Sequence, residues 1–372
     1  MYDVPHLRFP EFSGEWVTCT LGDITSSFNL RNKDEVPYPM YSVTNNRGFI
    51  PQSEQFEDRE MIGEDAKAYK IIHKDDFAYN PARINVGSIA KYNGVHPCMI
   101  SSLYVCFKAG LQVDKDWLMQ LLKTSKMNFY YNINGEGGVR VYLFYPNFAR
   151  IRTSYPATLT EQKKIAHFLS LLDERIATQN KIIDKLQSLI KGINCKIFAS
   201  IQGNEYRLGD IATITNGNSN VQDASVEYRI GLYPFFDRSE DVKYLPTFLF
   251  DKESIIYPGE GTEFMPRYYK GKFALHQRCY AICDFNEVVN PQFLYFFLKT
   301  QNSYFIKNAV GSTVPSLRLD TFQKLKVVIP SKETQYSISS LLSVLEQKID
   351  VENNSMKMLL CQKRYLLRQM FI

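Results

Sequence analysis

Three residues in the second half of the chain have the types and spacing of metal ligands. His276, Cys279 and Cys283 follow a His-x2-Cys-x3-Cys pattern. However, the residues from Cys279 to Cys283 read as a strand, and no second pair of ligands follows at the spacing of a zinc site. We therefore predict that both cysteines are buried core thiols and that the chain holds no metal. The seven cysteines are odd in number and scattered, which is typical of reduced thiols and predicts a cytoplasmic protein.

Other patterns of catalytic residues are incomplete in this sequence. There is no Gly-x-x-x-x-Gly-Lys-Ser/Thr loop, so ATP hydrolysis is not predicted. Asn80-Pro81-Ala82-Arg83 begins like the Asn-Pro-Pro-aromatic motif of adenine methyltransferases, but it lacks the second proline and the aromatic ring that stacks on a flipped base. No Ser/His/Asp, Cys/His or paired-carboxylate pattern stands out. We therefore expect a protein that is not an enzyme and that binds no cofactor of its own.

Side chains of the types that can recognise nucleic-acid bases are concentrated in two stretches. Residues 77–113 and 264–283 contain no Asp or Glu, but they are rich in basic and amide side chains. Arginine pairs with guanine, asparagine and glutamine pair with adenine, and lysine more often holds phosphate. A solvated surface charge is the alternative for any single residue, and we expect the aromatic residues of both stretches to be core. Arg140 and Arg318, from a later loop of each half, are added to the candidates from the two stretches. The full set of candidate DNA contacts is Arg83, Asn85, Lys91, Asn93, Arg140, Arg267, Lys270, Lys272, Gln277, Arg278 and Arg318.

These candidates lie in a sequence that contains an internal repeat. Leu-Gly-Asp-Ile occurs at residues 21–24 and again at 208–211, and a proline and a glutamine open a long apolar pattern near residues 160 and 333. Each half therefore predicts a mixed α/β (α+β) domain followed by a helix of about 40 residues, and the halves are related by pseudo-two-fold symmetry. The predicted boundaries are 1–155 and 204–330 for the domains and 156–203 and 331–372 for the helices.

Both predicted helices have the heptad pattern of a coiled coil. Apolar residues alternate spacings of four and three over 165–197 and over 338–370. A two-fold axis that relates the halves would reverse one helix against the other, so we expect an antiparallel pair. Gln179 and Glu352 interrupt the heptads at equivalent positions, and we predict that this polar layer fixes the helix register. Two solvent-facing side chains at a loosened seam are the alternative.

Charge and hydropathy restrict the class of protein further. The predicted domains are net neutral, whereas the predicted helices carry the whole net charge of +5. Bulk charge therefore does not by itself indicate nucleic-acid binding, and a DNA surface must come from local arrangement. No apolar run is long enough to span a membrane, and the N-terminus lacks the pattern of a secretory signal.

Three parts of the sequence resemble a known family. The opening residues Pro5 to Trp16, both Leu-Gly-Asp-Ile motifs and the segment from Pro156 to Ile176 resemble the specificity (S) subunit of type I restriction–modification systems, and the resemblance extends over essentially the full length. The second copy of the helix start departs from the first. Glu161 is replaced there by Thr334 and Asp173 by Glu346. These changes leave the heptad intact, and we expect them to weaken or skew one contact of the helices with a partner.

The resemblance implies a function without catalysis. In that family each varied domain is a target-recognition domain that reads one half of a split, asymmetric DNA site, and the helices set the spacer between the halves. The subunit docks two methyltransferase (M) subunits, which use S-adenosylmethionine, and in full complexes two restriction (R) subunits, which use ATP and Mg²⁺. Two other functions fit the sequence: the specificity subunit of a combined restriction–methylation enzyme, and a coiled-coil scaffold with two protein-binding domains.

Overall fold

The chain divides by its internal contacts into two units that share the two long helices. The computed structural model describes residues 4–54, 66–137 and 141–371. One unit consists of Met1–Gln179 together with Ser355–Ile372, and the other consists of Asn180–Asn354. The second unit is therefore continuous in sequence, whereas the first is completed by residues from the far end of the chain.

The first unit combines short strands and short helices with the first part of a long helix. Its elements are β1 (Val17–Thr20), α1 (Leu21–Ile24), β2 (Thr25–Phe28), β3 (Tyr41–Thr44), β4 (Gly48–Pro51), β5 (Lys70–Ile72), β6 (Phe77–Tyr79), β7 (Ile89–Lys91), β8 (Cys98–Ile100), β9 (Val105–Ala109), α2 (Lys115–Leu122), α3 (Ser125–Asn134), α4 (Tyr145–Ala149), β10 (Arg152–Tyr155) and α5 (Leu159–Ser200). Four antiparallel strands form a sheet in the order β2-β9-β6-β7. The strands β1 and β10 form a separate antiparallel pair that leads into α5.

The second unit repeats this plan with longer strands. Its elements are β11 (Asn204–Arg207), α6 (Leu208–Ile211), β12 (Thr213–Asn216), β13 (Tyr233–Phe236), β14 (Lys243–Leu245), β15 (Phe250–Pro258), β16 (Arg267–Leu275), β17 (Cys279–Cys283), α7 (Pro291–Lys299), α8 (Asn302–Asn308), α9 (Leu319–Gln323), β18 (Lys326–Ile329) and α10 (Lys332–Met370). Its sheet has the order β12-β17-β15-β16-β13-β14, and β11 pairs with β18. The first four strands repeat the order β2-β9-β6-β7, which confirms the predicted internal repeat and the mixed α/β fold.

The repeated glycine of the Leu-Gly-Asp-Ile motif has the same structural role in both units. A Cβ atom on Gly22 of α1 would lie 3.1 Å from the backbone oxygen of Ala149 in α4. A Cβ atom on Gly209 of α6 would lie 3.2 Å from the Cβ atom of Gln323 in α9. Glycine therefore lets each short helix approach the helix that precedes the last strand of its domain.

The two long helices follow the predicted heptads. α5 has 42 residues and α10 has 39, and their heptad positions are buried or half-buried. In the first unit, Leu169 of α5 and Leu366 of α10 belong to one hydrophobic core. Further along α5, Asp173 forms a salt bridge with Lys363, which precedes Leu366 in α10. As the residue numbers along α5 increase, those of the neighbouring residues on α10 decrease. The two segments therefore run antiparallel in this unit.

The sequence predictions about cysteines and membrane spans can be compared with this fold. Cys279 and Cys283 form the two ends of β17 and are buried, as predicted. Among the residues that the structure describes, no group of three His, Cys, Asp or Glu could hold a metal ion. Within the described ranges of the chain, no helix is long and apolar enough to cross a membrane.

Candidate nucleic-acid interface

Two equivalent glutamines fix the start of each long helix against its domain. Gln162 of α5 is fully buried; its amide nitrogen donates to the backbone oxygens of Gln112 and Pro156, and its oxygen accepts from the backbone N–H of Asp114. Asp114 is also the N-cap of α2, since its carboxylate accepts from the backbone of that helix. The glutamine therefore ties α5 to the same loop that begins α2.

The second unit repeats this arrangement. Gln335 of α10 is fully buried, donates to the backbone oxygens of Val288 and Pro330, and accepts from the backbone N–H of Asn290. Asn290 is the N-cap of α7. The position of each domain on its helix is therefore set by the same three hydrogen bonds in both halves.

The candidate DNA contacts of the first domain have different surroundings. Arg83 precedes the 3-10 turn Ile84–Val86 and is exposed, and Asn93 is exposed in the loop after β7. The amide of Asn85, in that 3-10 turn, donates to the side chain of Asn132 at 3.0 Å. Arg140 lies outside the described residues.

Lys91 is the candidate of this domain that is held most firmly by the protein. Its ammonium lies 2.5 Å from a carboxylate oxygen of Asp116 and 3.5 Å from one of Asp75, and only 11% of its side chain is exposed. Lys91 and Asn93 line one cleft of about 920 Å³, whereas Asn85 lines another of about 1170 Å³. The structure therefore brings Lys91 and Asn93 together but separates Asn85 from both.

Three candidates of the second domain lie on β16. The guanidinium of Arg267 donates to the backbone oxygen of Ser239. Lys270 and Lys272 are exposed, and the ammonium of Lys272 lies 4.8 Å from the centre of the Phe248 ring. The strand β15 places an acidic residue opposite each of these two lysines, Glu253 and Asp251.

Gln277 and Arg278 are exposed in the turn between β16 and β17. Both line a cavity of about 510 Å³ together with His276. A guanidinium nitrogen of Arg278 lies 2.6 Å from a carboxylate oxygen of Glu260, and burial lowers the pKa of His276. Arg318 is exposed immediately before α9 and does not line this cavity.

The acid-free stretches of the sequence are therefore not acid-free surfaces. Asp75 and Asp116 flank the first stretch in sequence and neutralise Lys91, while Glu260 precedes the second stretch and neutralises Arg278. Tyr92 and Phe273 are buried in the domain cores, as expected, so their rings cannot stack on bases. The remaining candidates are exposed hydrogen-bond donors on loops and strand ends, and these can bind a ligand.

Two arginines that the sequence reasoning missed lie near these candidates. Arg364 and Arg368 of α10 line the same cleft as Asn85. Sequence reasoning assigned α10 only to the coiled coil, although three of its six basic residues fall within 363–368. That local concentration of charge was the signal that could have identified them.

Comparison with known proteins yields one family. Residues 202–359 match the family described as the type I restriction modification DNA specificity domain. The type I restriction enzyme EcoDI specificity subunit of Escherichia coli is 29% identical to this chain over 143 residues. That match covers 38% of this chain and 31% of the length of the E. coli protein.

Solved structures have the same fold. The type I restriction-modification system S subunit from M. genitalium has a TM-score of 0.63 at 15% identity, with 99% of both chains covered. A chain from a study of complex assembly and conformational transition in the type I R-M system has a TM-score of 0.58 at 12% identity, with 95% of this chain and 96% of that chain covered. The matched domain, the relative and the shared fold together confirm the resemblance that the sequence indicated, to the specificity subunit of a type I restriction–modification system.

Proposed function

We propose that this chain is the DNA sequence-recognition subunit of a type I restriction–modification complex, in which each domain reads one half of a split, asymmetric site. The observation that carries the proposal is one strand order with two different sets of exposed polar side chains. The exposed candidates include Arg83 and Asn93 in the first unit, but Lys270, Gln277 and Arg278 in the second. One scaffold thus presents two unlike sets of hydrogen-bonding groups, as two unlike half-sites require.

The candidate contacts divide into two groups by their freedom to reach DNA. Exposed arginine and amide side chains are proposed base contacts, and the exposed lysines of β16 are proposed phosphate contacts. Lys91, Arg267 and Arg278 would reach DNA only by leaving the protein groups that now hold them. We therefore rank these three below the others. The proposed base contacts are Arg83, Asn85, Asn93, Gln277 and Arg318.

A stripe of exposed apolar side chains on α10 supports the docking of partner subunits. Val344, Val351 and Met358 recur every seven residues and are 59%, 60% and 73% exposed. Seven residues make two helical turns, so the three side chains share a face, which is distinct from the buried heptad face. Exposed apolar surface of this kind marks interaction sites. We propose that methyltransferase subunits bind here.

Catalysis and cofactors belong, in this proposal, to the partners. Two methyltransferase subunits would supply S-adenosylmethionine chemistry, and restriction subunits would supply the use of ATP and Mg²⁺. The present chain would contribute recognition and geometry. Because acidic neighbours neutralise several of its basic residues, we expect the isolated chain to bind non-specific DNA weakly. Submicromolar binding of a duplex by the chain alone at physiological salt would contradict this.

Mapping methylated adenines tests the proposal directly. DNA from cells that express this chain with its methyltransferase should contain methylated adenines in a single bipartite motif. Exchanging residues 204–330 for the equivalent domain of another specificity subunit should change only one half of that motif. Adding or deleting four residues in α5 should change the spacer and leave both halves intact. A motif that survives both alterations unchanged would refute the proposal.

A further inference from the structure

A cleft of about 1170 Å³ in the first unit joins the last turns of α10 to the recognition domain. Its walls are residues 361–369 of α10, the 3-10 turn Ile84–Val86 and the start of α3. Within the described parts of the chain, no Asp or Glu lines it. The basic residues that line it are Lys123, Lys363, Arg364 and Arg368.

Two of these four cations have no acidic partner in the part of the chain that the structure describes. Lys363 forms its salt bridge with Asp173, and Lys123 also interacts electrostatically with Asp173, whereas no salt bridge joins a described carboxylate to Arg364 or Arg368. The guanidinium of Arg364 instead donates to the sulfur of Cys361, at 3.1 Å. The cleft therefore carries uncompensated positive charge, in contrast to the neutralised surroundings of Lys91.

The start of α3 adds a second source of positive potential. This helix has ten residues, and its N-cap Thr124 accepts a hydrogen bond from the backbone N–H of Met127. Thr124 and Ser125 line the cleft, so the positive end of the helix dipole points into it. The neutral lining includes amide side chains, which donate hydrogen bonds to phosphate oxygens as well as to bases. The amide residues are Asn45, Asn85, Asn128 and Gln369.

We propose that this cleft holds phosphates of the DNA backbone beside the half-site that the first domain reads. The inference rests on the proposed function, because it assigns a further contact to the same ligand. Asn85, a proposed base contact, lines the cleft, so a strand held there would pass directly to the reading surface. The end of the spacer helix would then fix the register of the first domain on the duplex.

Removing two of the cations tests this assignment. In the complex assembled with its methyltransferase, the double substitution Arg364→Ala/Arg368→Ala should weaken binding of the cognate duplex and of an unrelated duplex by the same factor, roughly 5- to 20-fold. The slope of log K against log salt should become shallower by about 1.8, and the methylated sequence should stay the same. The matched control is Lys181→Ala/Lys185→Ala, which removes two exposed charges from α5 and should change binding little.

Two exposed thiols provide an independent readout. Cys361 lines the cleft, whereas Cys195 is exposed on α5 and does not line it. Cognate duplex should slow the alkylation of Cys361 and leave that of Cys195 unchanged. Protection of Cys361 by the methyltransferase alone, with no further effect of duplex, would make the cleft a protein interface and overturn the proposal.

The outcomes separate this inference from the proposed function. If the wild-type complex selects its site but the arginine variant binds like wild type, only the phosphate cleft is refuted. If the wild-type complex shows no sequence-selective binding, the proposed function fails and this inference fails with it.

Discussion

The guanidinium of Arg8 holds the buried carboxylate of Glu161 with two hydrogen bonds, Nε to Oε1 at 2.7 Å and Nη2 to Oε2 at 2.8 Å. The exposed fractions of the two side chains are 12% and 3%. The indole N–H of Trp16 also donates to Glu161, at 3.3 Å. Glu161 therefore makes its contacts in the interior of the first unit. Its counterpart Thr334 in the second helix is exposed, so the second unit lacks this internal anchor.

Breaking this ion pair should destabilise the protein strongly. Arg8→Met leaves the Glu161 carboxylate buried without its partner, so the free energy of unfolding should fall by about 3 kcal/mol. The double variant Arg8→Met/Glu161→Leu should recover most of this loss, because no buried charge is left. Urea denaturation of the three proteins measures both effects.

A surface ion pair provides the control for that experiment. Arg47 lies 2.7 Å from Glu54, but the two side chains are 59% and 51% exposed. Arg47→Met should therefore cost less than about 1 kcal/mol. Equal losses for the two arginine variants would mean that burial of Glu161 does not determine the energy of its pair.

The buried glutamines should have matching effects on stability. Gln162→Leu and Gln335→Leu each leave one backbone N–H and two backbone oxygens without their hydrogen bonds, so each should lower the free energy of unfolding by roughly 2 to 4 kcal/mol. Gln187→Leu, at an exposed position of α5, should change it by less than about 0.5 kcal/mol. A large loss for only one of the two buried positions would show that the repeat is not energetically symmetric.

The salt bridge between Asp173 and Lys363 should couple the two helix segments of the first unit. Asp173→Lys places two ammonium groups together and should lower the thermal midpoint, while adding Lys363→Asp should restore it. Because the side chains are 40% and 21% exposed, we expect a coupling energy of about 1 kcal/mol. A double-mutant cycle measures it, and additive effects of the two substitutions would exclude the coupling.

Cysteine reactivity should follow burial. Burial raises the pKa of Cys98 and Cys106 to about 12 and that of Cys279 and Cys283 to about 11. Since the thiolate is the nucleophile, these four thiols should resist iodoacetamide at pH 8 until the protein unfolds. Exposed Cys195 and Cys361 should react quickly. Mass spectrometry of native and urea-unfolded samples distinguishes the groups, and rapid native labelling of Cys279 would contradict its place in the core.

The repeat and the long helices could be predicted from sequence because their signals are local and periodic. The heptads over 165–197 and 338–370 lie inside α5 and α10, and their positions are buried or half-buried as predicted. The heptad gap at Lys363 is explained by the acidic partner Asp173 on α5. The role of Gln179 and Glu352 in fixing the register stays a prediction.

The candidate interface was harder to predict because its charges are balanced across distance in sequence. Asp75 and Asp116, which neutralise Lys91, lie on either side of the acid-free stretch and not within it. The arginines of α10 that line the cleft beside Asn85 are far from Asn85 in sequence. Residue types could indicate hydrogen-bond chemistry, but only the packing of strands and helices determines which charges remain uncompensated.

The discontinuous first unit has a consequence for synthesis on the ribosome. Leu366, Met370 and Phe371 belong to the same core as Trp16 and Trp117, so that core lacks part of its apolar surface until residues 355–371 emerge. Residues 180–354 form a continuous unit and can complete their core earlier. The domain that is translated first is therefore the last to be finished, which reverses the usual vectorial order. A chain truncated after Asn354 should present a protease-sensitive first unit and a folded second unit.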